Sequence, residues 1–208
     1  MLKLNKVFFI LCVLAVTKIN AQNLRLGVHA TPSINYISTS QPDVETNLAV
    51  KFGFGLLADY FFAEHYAIST GVDILSSGGT MDINDTSRKY NAGYVQIPIA
   101  LKMCTREFGY FTYFARFGGG IMIKTSETID FEPDIAPGSE LDSYVNPLGL
   151  TFKFGGGAEY SFGGSTSLIA EIAYHRNLVD NLNSDDPSLR SNRSYRFDYV
   201  ALSIGVLF

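Results

Sequence analysis

The last ten residues, 199–208, constrain this chain more than any other stretch. They read Tyr-Val-Ala-Leu-Ser-Ile-Gly-Val-Leu-Phe. Val200, Leu202, Ile204, Val206 and Phe208 fall on one side of an extended chain, and Tyr199, Ala201, Ser203, Gly205 and Leu207 on the other. A period of two is the period of a strand. One face is unbroken apolar surface, the opposite face is mostly small, and the sequence closes on an aromatic ring. Two environments select such an ending. One is an edge strand packed on a soluble core; the other is a strand whose apolar face meets lipid and whose two edges are both paired.

The same alternation recurs upstream and decides between them. Strands are expected at 24–36, 50–60, 66–75, 94–103, 111–124, 148–160 and 168–175, with 199–208 as the eighth. In the second, Val50, Phe52, Phe54, Leu56, Ala58 and Tyr60 oppose Lys51, Gly53, Gly55, Leu57 and Asp59. No apolar face carries a charge through its middle. The charges sit opposite, as Arg25, Lys51, Asp59, Asp73, Lys102, Arg116, Lys153, Glu159 and Glu171, with His29 and His175. A soluble sandwich hides its apolar face and wets the polar one. A lysine on a lipid face near midplane costs about 2–4 kcal/mol, so a segregation this clean is what lipid contact selects.

The connections alternate as well. Short ones lie at 63–65, 104–109 and 161–166; long ones lie at 37–49, 76–93, 125–147 and 177–194. The pattern predicts an all-β, eight-stranded antiparallel transmembrane up-and-down β-barrel with short periplasmic turns and long extracellular loops. Aromatic residues gather at strand ends. Tyr60, Phe61, Phe62, Tyr66, Phe108, Tyr110, Phe111, Tyr160, Phe162 and Phe208 lie beside the short turns, and Tyr36, Tyr90, Tyr94, Tyr174, Tyr195 and Phe197 toward the long loops. Both sets are expected to form interfacial girdles. Pro98 lies inside the fourth strand, where it removes a ladder hydrogen bond in a barrel that has no edge to spare.

Residues 1–21 carry Lys3 and Lys6, an apolar run over 7–16 and a small residue, Ala21, before the expected cut. That is the layout of a secretory signal peptide, leaving 22–208 as the barrel domain and the cell outer membrane as the destination. The run is too short to span a bilayer as a helix. Cys12 follows Leu11, where a lipoprotein signal needs a small residue, so it is read as part of the removed segment. Cys104 alone remains, which rules out an intramolecular disulfide. Loss of Lys3, Lys6 and Lys18 leaves 13 basic against 20 acidic residues, a net charge of −7 that argues against nucleic-acid binding.

Several segments together resemble the PorT-type outer-membrane β-barrel family: Gly-Phe-Gly-Leu-Leu-Ala-Asp-Tyr-Phe-Phe at 53–62, Tyr-Val-Gln-Ile-Pro-Ile-Ala-Leu-Lys at 94–102, Phe-Gly-Gly-Gly at 117–120 and the terminal Phe208. The resemblance extends over the mature chain and implies a barrel in the outer membrane. It implies little about activity, although some members resemble accessory parts of secretion and gliding machinery.

No residue is assigned a catalytic, cofactor-binding or metal-binding role. Arg25, Lys102 and Arg116 are expected to balance Asp59, Glu159 and Glu171 inside the lower barrel, since eight strands enclose only enough space for side chains. A lipid A-modifying enzyme would need a nucleophile and a base in reach of one another. His175 is followed by Arg176 and Asn177 rather than by a His-x-Ser arrangement, and Ser203 lies deeper. Gly118–Gly120 and Gly155–Gly157 sit inside strands and are no phosphate loops. Stretch 125–147 holds Glu127, Asp130, Glu132, Asp134, Glu140 and Asp142 without an internal basic residue, read first as a solvated loop and second as a divalent-cation bridge to lipopolysaccharide. The expected role is structural or surface-interacting, without catalysis or cofactor. The expected contacts are outer-membrane lipid and lipopolysaccharide and a protein partner at the extracellular loops, with the barrel itself monomeric.

Overall fold

The computed structural model describes residues 23–39, 45–83, 86–132, 145–182 and 194–208. The expected signal peptide and the centres of three long loops, with most of their acidic residues, lie outside the described residues. No described helix is long and apolar enough to cross a membrane; the crossings are made by strands.

These are β1 (Leu24–Thr39), β2 (Glu45–Asn47), β3 (Ala49–Ala63), β4 (Tyr66–Ile83), β5 (Thr86–Cys104), β6 (Phe111–Glu132), β7 (Leu148–Ser161), β8 (Ser167–Asn177) and β9 (Tyr195–Leu207). Apart from the short β2, neighbours in sequence pair antiparallel, and β1 pairs β9 from Gly27↔Leu207 to Thr39↔Tyr195. First joined to last, the sheet closes into an eight-stranded barrel. The short β2 is a second instalment of β3: the β3–β4 ladder ends at Gly53↔Leu75, and β2 resumes on β4 at Asn47↔Thr80.

Side-chain exposure is inverted relative to a soluble protein across the middle of every strand. Phe54 (55%), Leu56 (61%), Ile99 (61%) and Ile172 (63%) are among the outward residues, while Asp59 and Lys102 are fully enclosed. The turn between β7 and β8 needs Gly163 and Gly164, whose φ angles of 92° and 68° disfavour any residue with a Cβ. At that end the β6 and β7 rings form a cluster, with Tyr160 5.0 Å from Phe111, 5.5 Å from Phe162 and 5.9 Å from Tyr110 between centroids.

Two expectations need correction. The stretch 76–93 is not a loop: β4 and β5 run on as a hairpin to Ile83↔Thr86, and β6 follows them to Glu132. Here the faces are reversed. Met81, Tyr90, Ala92, Tyr94, Met122, Ile129, Val145, Leu182, Tyr195, Phe197 and Ile37 point inward and form one buried apolar cluster, while Lys89 and Asn91 are exposed outside. Above the bilayer the strands meet water, so the apolar side turns in. Consequently Tyr90, Tyr94, Tyr195 and Phe197 are core residues of this crown and not part of an outer girdle; on the outer wall, Tyr36 and Tyr174 hold that position.

Pro98 also finds its physical account. Its side of β5 faces β4, and the β4–β5 register passes from Thr70↔Ile99 to Asp73↔Gln96, omitting the two rungs between. The Thr70 hydroxyl donates to the Pro98 carbonyl at 2.9 Å instead. The ladder is interrupted locally while β5 remains fully paired with β6 through Pro98↔Gly120.

Candidate functional site

The chemistry of this chain is concentrated in the lumen, which is built in layers. Nearest the periplasm, Arg25 from β1 reaches Glu159 of β7 at 2.6 Å and donates to the Ser167 hydroxyl at 2.9 Å. Lys102 of β5 lies between Glu159 and Asp59, 2.5 Å from the latter. Asp59 accepts in addition from Ser69 at 2.5 Å and from Arg116 at 3.1 Å. Arg116 of β6 then bridges to Glu171 of β8 at 2.6 Å, and Lys153 stands 2.9 Å from the same carboxylate. The Phe114 ring is held between Lys102 and Arg116, 4.9 and 4.8 Å from its centroid. Strands with alternate residues inward bring these groups together automatically, and enclosure makes each charge depend on its partner.

The expected pairing of Arg25, Lys102 and Arg116 with Asp59, Glu159 and Glu171 is therefore present as a single network. Lys153 is an addition that the sequence did not resolve, because its height in the barrel depends on register. The layer above is milder. His29 lies 3.2 Å from Asp73, the His175 ring stacks on Tyr199 at 4.3 Å, and Tyr199 donates to Gln96, which donates to Thr151. Ser203 pairs with Thr31 at 2.9 Å and lies opposite Glu171, four residues along β9 from the Tyr199 that faces His175. A cavity of about 50 Å³ between these groups, lined by His29, Asp73, Gln96, Lys153, His175 and Tyr199, has room for a few waters. The described residues contain no cluster of metal-ligating side chains. Above the cavity the apolar crown core closes the bore.

The family model described as "Outer membrane protein beta-barrel domain" matches residues 20–133, more than half of the chain. The chain belongs to that family. It is an outer-membrane β-barrel protein, and among solved structures the outer membrane protein OprG from Pseudomonas aeruginosa superposes on it with a TM-score of 0.55, at 12% identity over 88% of this chain and 93% of that one. Neisserial surface protein A gives a TM-score of 0.48 at 14% identity over 88% and 95%. Ail, the attachment invasion locus protein of Yersinia pestis, gives 0.42 at 10% identity over 89% and 99%. At such identities the likeness is one of fold. No curated protein matches the chain. For an outer-membrane barrel the layered lumen has a direct reading: polar side chains fill the bore and tie the strands across it.

Proposed function

We propose that this barrel is a structural and surface-interaction protein, which anchors a folded crown above the outer membrane and conducts nothing of consequence through its centre. The observation that carries the reading is the double closure of the bore. The Asp59–Lys102–Arg116–Glu171 network fills it at membrane level, and Met81, Tyr90, Tyr94, Met122 and Phe197 fill it above. A bore filled twice supports rigidity over passage. The long paired hairpins of β4, β5 and β6 provide a preformed surface, and partners bind preformed surfaces with less ordering cost.

The test is single-channel recording of the refolded protein in a planar bilayer. Silence apart from brief noise is the expected result; a steady open level with ohmic conductance would overturn the proposal. Catalysis forms no part of this reading: Ser203 lies four residues along β9 from the Tyr199 that faces His175.

The PorT-type resemblance of segments 53–62 and 94–102 favours a second reading, an accessory subunit of a secretion or gliding machine. Gene deletion separates the readings. Lost protein secretion or surface motility would favour the subunit, and an altered lipid A mass profile would favour an enzyme. Cells impaired only in surface contact would favour the first proposal.

A further inference from the structure

On the outer wall, just above the apolar band, β8, β9 and β1 bring six polar side chains together. Tyr36 pairs across β1–β9 with Asp198, and Ser38 with Arg196. The last β8–β9 rung is His175↔Tyr199, so continuing that register by one residue sets Arg176 opposite Asp198 and diagonal to Arg196. Diagonal neighbours in a sheet are close enough for long side chains to converge. The Tyr36 hydroxyl is 3.4 Å from that of Tyr174, which lies 3.5 Å from Asp198.

Asp198 is not the anion that completes this cluster. It is 2% exposed, and its Oδ1 accepts from the Asn177 backbone N–H at 2.9 Å, capping the end of the β8–β9 ladder. One buried carboxylate is thus set against two guanidinium groups. Arg176 is exposed on the outer wall, and Arg196 Nε is buried with no hydrogen-bond partner among the described residues. On the flanking strands the outward residues in register, Val50 opposite Ile34 on β3 and Phe152 opposite Arg176 on β7, are uncharged. Arg176 and Arg196 are the only outward-facing cations of β1, β7, β8 and β9 among the described residues. Directly below it, Ile34, Ile172, Val200 and Leu202 offer exposed apolar surface.

We infer that this cluster is a binding site for a phosphate of lipid A in the outer leaflet. A guanidinium fork matches phosphate oxygens in paired hydrogen bonds. The Tyr36 hydroxyl donates to Tyr174 and Tyr174 to Asp198, which leaves the guanidinium groups to pair with the phosphate, and the apolar wall beneath receives the acyl chains. A ligand with an anionic phosphate above several hydrocarbon tails satisfies both halves of the surface at once. The inference stands apart from the role proposed for the crown.

The test uses the full mature barrel refolded in detergent and titrated by native mass spectrometry. The probes are bisphosphorylated lipid A, its dephosphorylated form and phosphatidylglycerol. Wild type is expected to retain bisphosphorylated lipid A at least tenfold more strongly than either of the others. Arg176→Gln combined with Arg196→Gln is expected to remove that preference, and Arg176→Lys with Arg196→Lys to keep part of it. Lys89→Gln, exposed on the crown, should change nothing. Arg176→Gln alone, at an exposed position, serves if the double variant does not fold. Equal retention of dephosphorylated lipid A, full competition by phosphatidylglycerol, or unchanged binding in the Arg176→Gln variant would each overturn the inference.

Discussion

Arg116 donates to Glu171 at 2.6 Å through one terminal nitrogen and to Asp59 at 3.1 Å through the other, so one guanidinium joins carboxylates from β8 and β3 across the bore. Removing it leaves two enclosed carboxylates short of a partner. Arg116→Leu is expected to cost about 3–5 kcal/mol, the usual penalty for breaking a buried ion pair from one side. Lys51 bonds Asn91 at 2.9 Å in an exposed setting, and Lys51→Leu should cost no more than about 1 kcal/mol. Urea unfolding of the refolded barrel measures both. Coincident midpoints for the two variants would mean that the network contributes no stability.

How much of this was legible beforehand follows from where each residue meets lipid. Within the bilayer the rule is simple, apolar out and charge in, and residues such as Phe54 and Lys102 announce their faces from sequence alone. Counting depth from the short turns sets Arg116 near Glu159 or Glu171, and the structure pairs it with Glu171 and with Asp59. Tyr90, Tyr94 and Phe197 obey the opposite rule above the membrane, so a pattern that predicts a girdle is a core. An inward tyrosine and an outward one look alike until the interface has been located. The outer-wall cluster was equally invisible, since Arg176, Arg196 and Tyr36 come from three strands and meet only through register.

The inverted face has a direct consequence at Phe54, which is 55% exposed toward lipid. Phe54→Lys should cost about 2–4 kcal/mol at this depth and reduce the folded fraction seen as heat-modifiable gel mobility, whereas Phe54→Leu should fold like wild type. Thr128→Lys, on the exposed outside of the crown, should also be tolerated. Thr151 is a poor site for a tolerated charge despite facing the lumen. It is 2% exposed and accepts from Gln96 at 3.1 Å, so Thr151→Lys overpacks a filled layer. Equal folding of Phe54→Lys and wild type would argue against lipid contact at that position.

The crown should be separable from the membrane portion. Tyr90 is fully buried against Phe197, 6.5 Å away between centroids. Truncation to Tyr90→Ser should cost on the order of 3–5 kcal/mol locally, as for other large aromatic truncations in a core. The expected readout is new proteinase K cleavage within 76–93 on intact cells, while the membrane-level strands remain protected and heat-modifiable. Loss of the whole barrel from the membrane would instead make the crown core part of one cooperative unit with the transmembrane strands.

Orientation can be read with thiols, but Cys104 is a slow reporter. It is half-buried at the periplasmic end of the bore, packed beside the cluster of Leu57, Phe114, Ile169 and Leu207. In a Cys104→Ser background, Lys89→Cys places a thiol on the exposed crown and Ser165→Cys places one in the exposed β7–β8 turn. A membrane-impermeant maleimide should label Lys89→Cys on intact cells within minutes and leave Ser165→Cys unmodified until the outer membrane is permeabilised. The wild-type Cys104 lines a cavity of about 440 Å³ at the periplasmic mouth but is half-buried against that apolar cluster, so it should react more slowly than Ser165→Cys even then, and fully only after unfolding. Comparable labelling rates for Cys104 and Ser165→Cys in permeabilised cells would mean that the periplasmic mouth opens more readily than its packing implies. Labelling of Ser165→Cys on intact cells, with Lys89→Cys silent, would place the short turns outside and reverse the assigned direction of insertion.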